Sequence, residues 1–205
     1  PLGKVLLVTD MDSAEATLYL QTVKTFLENI LPESESDWVL VSQNDFENIK
    51  DLLDQVEEHR PDLVVTYRNL RSDAWRWPYS LGEYLDVLTQ VTSTPVLVLP
   101  HPDREDSTGF LARTPETVMA VSGHLCGEGK LVGYSAAFTP SGGKLILSHV
   151  EDEATLDRYL TAIEKIPEID SEVARETILS RLLKDAKDFS ESARDALEEK
   201  DLGDT

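Results

Sequence analysis

The chain predicts an α/β fold built on a parallel sheet. Short apolar, β-branched runs alternate with segments of helical periodicity over the first hundred residues. Each run is almost continuously apolar rather than alternating, the mark of strands covered on both faces. Strand–helix–strand alternation in turn implies right-handed crossovers between parallel neighbours. With 205 residues, 40% of them hydrophobic, the chain is long enough for one large α/β domain or two small ones.

The elements follow in order. Residues 4–9 (KVLLVT) form the first strand, ending at Asp10 and Asp12. Ser13 is expected to cap the next helix, in which Ala16, Leu20, Val23, Leu27 and Leu31 recur at helical spacing. Residues 38–42 (WVLVS) are the second strand. Asn44 or Asp45 then caps a helix with Phe46, Ile49, Leu52, Leu53 and Val56 on one face, stopped by Arg60 and Pro61. Residues 62–67 are the third strand, 81–91 a helix and 96–99 the fourth strand. The loop between Tyr67 and Leu81 is rich in arginine and tryptophan and has no glycine.

Residues 101–116 are charged and contain Pro and Gly, which predicts a linker. Residues 117–121 begin another strand, a helix lies around 130–138, Gly142 and Gly143 make a turn, and 144–150 (KLILSHV) is a buried strand. Helices near 153–165 and 171–200 follow, split at Pro167. The second part thus holds two strands and then only helices, too few strands to cover that much apolar helix face.

The formal net charge is −20, from 39 acidic and 19 basic residues. Nucleic acid and anionic membrane both need a positive surface, so neither is expected as the main partner. The one cysteine, Cys126, excludes an intramolecular disulfide and fits a reducing compartment. No apolar run approaches the roughly 20 residues of a membrane span. Gly3 leads into the first strand with no basic, apolar leader before it, so a cytoplasmic location is expected.

Together these motifs resemble the universal stress protein family. Residues 4–10 are similar to its first strand with a terminal Asp, and 62–66 followed by loop, helix and 94–98 (TPVLV) are similar to its "ADLIVMG … CPVLVV" half. Residues 117–123 (TVMAVSG) and 145–150 (LILSHV) resemble the start of a second copy. The resemblance implies a Rossmann-like open parallel sheet with helices on both faces. It also implies an imperfect tandem: a shortened first domain at 1–100, a linker at 101–116, and an incomplete second repeat at 117–205 ending in charged helices. Homodimers are common in the family, and some members bind ATP through G-x-x-G-x(9–10)-G-S/T. Those glycines let backbone N–H groups approach phosphates before a helix N-terminus. Here the first two glycine positions fall at Tyr67 and Leu70, Gly82 takes the third with eleven residues between rather than nine or ten, and the hydroxyl position is Glu83. A carboxylate at contact range of a triphosphate repels it by roughly 1 kcal/mol or more.

Candidate residues each carry competing readings. Arg68, Arg71 and Arg76 share their loop with Trp75, Trp77 and Tyr79. Guanidinium groups hold phosphate and aromatics stack a base, which points to an anion or nucleotide site. Alternatively the loop folds over the sheet end with its arginines paired to the protein's own carboxylates. In a third reading Trp75 and Trp77 are interface anchors. Asp10, at the first strand's end, resembles the family Asp beside adenine and ribose, or else caps a loop. A nucleotide or anion site would comprise Asp10, Thr66, Arg68, Arg71 and Gly82. His101, Asp103, Glu105 and Asp106 are better explained as an acidic linker than as a metal site, and no metal is expected. His124 and Cys126 lack an orienting acid, His149 reads as a strand-end core residue, and Gly127, Gly129 and Gly133 fit no phosphate-loop spacing. The expectation is a non-catalytic, cytoplasmic, homodimeric regulatory protein acting through a protein partner, with a degenerate nucleotide loop and no cofactor. The alternative is a stress protein that binds ATP, AMP or another anion.

Overall fold

In a computed structural model the chain forms two compact units, Pro1–Thr114 and Pro115–Thr205. The structure describes residues 2–31, 35–77, 79–123, 129–163, 165–166 and 170–198.

The first unit runs β1 (Lys4–Val8), α1 (Ser13–Ile30), β2 (Asp37–Val41), α2 (Ile49–His59), β3 (Leu63–Tyr67), a 3₁₀ turn (Asp73–Arg76), α3 (Glu83–Val91), β4 (Val96–Leu99) and α4 (Ser107–Leu111). Its strands form one parallel sheet in the order β2-β1-β3-β4. The central strands carry the core: Val5 to Val8 and all of Leu63–Tyr67 are buried. That is why both read as unbroken apolar runs. The chain steps from β1 out to β2, then returns past β1 to β3. Right-handed crossovers in opposite directions put α1 on one face and α2 and α3 on the other. α2 packs on α3 and α1 on α4, where Phe26 and Phe110 lie 5.7 Å apart. This is a Rossmann-like α/β arrangement. Its strand order reverses between β1 and β3, so a crevice opens outside their C-terminal ends.

The second unit runs β5 (Thr117–Ser122), α5 (Gly129–Phe138), β6 (Lys144–His149), α6 (Glu153–Ile163) and α7 (Ser171–Glu198). β5 and β6 form a two-stranded parallel sheet with Met119 paired to Ile146 and Val121 to Ser148. Ala120 is buried, but Met119 and Val121 are exposed. α7 packs against α6 and β6, with Ala186 buried on its inner stripe. Gly129 and Gly133 lie within α5, whereas His124, Cys126 and Gly127 fall outside the described residues.

Several boundaries differ from the expectation. Asp12, not Ser13, caps α1: its Oδ1 accepts the N–H groups of Ala14 and Glu15, both at 2.9 Å. α2 starts at Ile49 under an Asn48 cap, because Asp45 is engaged upstream by the Ser42 N–H at 2.7 Å and hydroxyl at 2.8 Å. Phe46 therefore precedes the helix, buried as a single anchor. α3 starts at Glu83 because Gly82 breaks the helix with φ 95°. The segment read as a linker belongs, up to Thr114, to the first unit: His101, Ser107 and Leu111 are buried there.

Candidate functional site

The crevice at the switch point is a cavity of about 420 Å³. β1 delivers Asp10, β3 delivers Tyr67, the loop after β3 delivers Arg71 and Asp73, and the segment after β4 delivers His101 and Asp103. A larger cavity of about 520 Å³, beside Trp38 and Leu27, lies at the N-terminal ends of β1 and β2, away from any switch point. The smaller one is therefore the candidate site.

Tyr67 organises it. The last residue of β3, it is only 1% exposed. Its ring meets Tyr19 and His101 edge-on at centroid distances of 5.7 and 5.1 Å. A phenol has one proton, and Tyr67 Oη donates it to Asp10 Oδ1. The oxygen then accepts from the Asp10 N–H at 3.1 Å and from the Thr9 hydroxyl at 2.8 Å. Thr9 Oγ1 in turn accepts the Met11 N–H at 3.1 Å. Burial, then the bond to Asp10, pushes the Tyr67 hydroxyl well above its usual pKa, so it stays protonated.

The second carboxylate oxygen of Asp10 accepts the Arg71 N–H at 2.5 Å. Arg71 has φ 57°, in the left-handed region that a non-glycine residue seldom occupies. Three residues, Asp10, Gln43 and Phe46, hold it there. Its guanidinium donates to the carbonyls of Gln43, at 2.5 Å, and Phe46, and lies 4.4 Å from the Phe46 ring centroid. Arg71 thus ties the ends of β1 and β3 to the β2–α2 loop. His101 Nδ1 accepts the Asp103 N–H at 3.2 Å. Burial lowers the His101 pKa, against the opposing pull of Asp103, Asp10 and Asp73. Asp10, Glu15, Asp73 and Asp103 give the lining four carboxylates, and the Arg71 side chain is turned to carbonyls.

Of the five predicted site residues, Asp10 and Arg71 meet in this cleft, whereas Thr66, Arg68 and Gly82 do not line it. Thr66 is buried in β3, and its hydroxyl has no hydrogen-bond partner among the described residues. Arg68 donates to the Ser80 carbonyl at 2.9 and 3.1 Å and to that of Trp77 at 2.7 Å. The pairing of Arg68 and Arg71 side chains is thus with backbone carbonyls rather than the expected carboxylates. At Gly82 a Cβ would lie 2.7 Å from Asn69 Cα, so a close backbone approach requires this glycine. Of the predicted interface residues, Trp77 is 71% exposed, and the Trp75 side chain lies outside the described residues.

Sequence reasoning missed Thr9, Tyr67 as a hydrogen-bonding hub, and His101. The signal available was the strand-end position of Thr9 and Tyr67. In the second unit, His149 Nε2 pairs with Glu151 Oε1 at 2.6 Å. Among the described residues no group of three or more His, Cys, Asp or Glu side chains could hold a metal ion, and no helix is long and apolar enough to cross a membrane. No family model matches this chain, and no curated protein and no solved structure matches it.

Proposed function

We propose that this chain is a non-catalytic regulatory protein of the universal stress protein type, acting through protein contacts made by the loop at residues 68–82. One observation carries this. The two arginines that would grip a phosphate are tied to backbone carbonyls, Arg68 to Trp77 and Ser80, Arg71 to Gln43 and Phe46. Meanwhile Trp77 and Tyr79 stand in solvent, 71% and 99% exposed. Tyr67 and Leu70, at the family's first two glycine positions, are buried side chains. The parallel sheet and the order of the strand motifs support the family assignment. The Tyr67 hydroxyl and both Asp10 carboxylate oxygens are committed to hydrogen bonds that join the ends of β1 and β3, which favours a structural use of this pair. A homodimer belongs to the same proposal and is checked by analytical ultracentrifugation.

The second reading is a site for ATP, AMP or another anion, favoured by the cleft's place at the β1/β3 switch point beside Asp10 and Arg71. Calorimetric titration with ATP and AMP decides between them. Protein contact predicts no saturable heat. Micromolar binding that disappears in Arg71→Ala would overturn it.

A further inference from the structure

We infer that Arg68, Trp77, Tyr79 and Leu81, on the loop after β3, form a preorganised docking knob for a short acidic protein segment carrying an apolar side chain. This rests on the protein-contact function proposed above and names the chemistry of the partner.

Charge is the first ground. The chain has 39 acidic and 19 basic residues, yet positions 67–82 hold three arginines and one aspartate. The way the arginines are held matters as much as their number. Among the described residues, every hydrogen bond from the Arg68 guanidinium goes to a backbone carbonyl. A carbonyl fixes the side chain but carries no net charge, so the positive charge is oriented without being cancelled, as a carboxylate partner would cancel it. Arg76, in the same loop, is exposed.

Shape is the second ground. Arg68 Nη2 binds the carbonyls of Trp77 at 2.7 Å and Ser80 at 2.9 Å, pinning both ends of the tip. Asn69 closes the base: its N–H donates to the Leu81 carbonyl at 2.7 Å and its Nδ2 to that of Ser80 at 3.2 Å. Ser80 Oγ donates to Asn69 Oδ1 at 3.2 Å and accepts the Gly82 N–H at 3.2 Å. A tip held at its base by side chains presents Trp77, Tyr79 and Leu81 with less conformational entropy to lose on binding. Exposed Trp and Tyr beside Arg is the residue mixture of interface hot spots.

The charge pattern selects the partner. A nucleic acid would stack on the same aromatics, but its charge extends beyond the loop over a surface that is otherwise strongly acidic. A short acidic segment sets a few carboxylates against Arg68 and Arg76 and one apolar side chain on Trp77 and Tyr79.

The test is fluorescence anisotropy of a short labelled peptide of glutamate, aspartate and leucine with the full chain. Saturable binding that weakens with salt is expected. It should fall about tenfold in the double variant Trp77→Ala, Tyr79→Ala, and about threefold or more in Arg76→Glu. All three side chains are exposed, and circular dichroism checks that the variants fold. The inference is overturned if the acidic peptide does not bind, if neither variant weakens it, or if a single-stranded oligonucleotide binds this loop more tightly. Saturable nucleotide binding by calorimetry would instead remove the underlying protein-contact function. Absence of both nucleotide and peptide binding removes the docking knob alone.

Discussion

Tyr67 shows how one atom joins two strands. Its hydroxyl links Thr9, the Asp10 N–H and the Asp10 carboxylate at the edge of the sheet. Tyr67→Phe keeps the ring and leaves those groups with a missing partner, the Thr9 hydroxyl among them fully buried. A loss of about 1–3 kcal/mol is expected in urea unfolding, with the fold retained. Gly82→Ala sets a Cβ against the Asn69 backbone at φ 95°, and a loss of about 1–3 kcal/mol is expected by the same measurement. His101 gives a pH dependence. Burial lowers its folded pKa below the ordinary 6.5, so acid protonates the unfolded chain first. Its contribution to stability is therefore complete above the ordinary value and is lost as pH falls from there through the lowered folded value. The denaturation midpoint of wild type should drop more steeply on acidification than that of His101→Phe. Asp10 was legible as a strand-end carboxylate. The roles of Tyr67 and His101 were not, because their partners lie 57 and more positions away or in a segment whose composition resembles a linker.

At the scale of elements, apolar periodicity located the strands and helices well, and capping chemistry located their ends less well. Asp12 and Ser13 are both good caps, and their order along the chain does not say where the backbone turns. Asp12→Ala should cost about 1 kcal/mol and Ser13→Ala far less, compared by thermal or urea unfolding. For α2 the same ambiguity moved the start by several residues, since Asp45 closes a turn on Ser42 and Asn48 takes the cap. Phe46 is freed from the helix by that shift. It becomes the aromatic face under Arg71 and packs at 5.8 Å on Tyr84. The segment 101–114 misled for a related reason. Its charges face solvent, while a few spaced side chains, Leu111 and Ser107 among them, fix it to the first unit.

Over the whole molecule, the two units differ in how well their sheets are covered. β1 from Val5 onward and all of β3 are buried, whereas β5 and β6 form a two-stranded sheet with Met119 and Val121 exposed. Backbone amides of β5 and β6 should exchange with deuterium faster than those of β1 and β3, as mass spectrometry of peptic fragments would show. The sequence by itself determined the α/β class, the parallel strands, their order along the chain, and the poverty of the loop in glycine. These are local properties of periodicity and backbone freedom. Only the tertiary structure decided the strand order β2-β1-β3-β4, the meeting of Asp10, Tyr67 and Arg71 at one crevice, and the fate of the arginines. Arg68 and Arg71 were equally plausible as phosphate ligands or as partners of carboxylates. Which carbonyls lie within reach of a guanidinium depends on how distant segments close over the sheet edge, and no residue spacing encodes that.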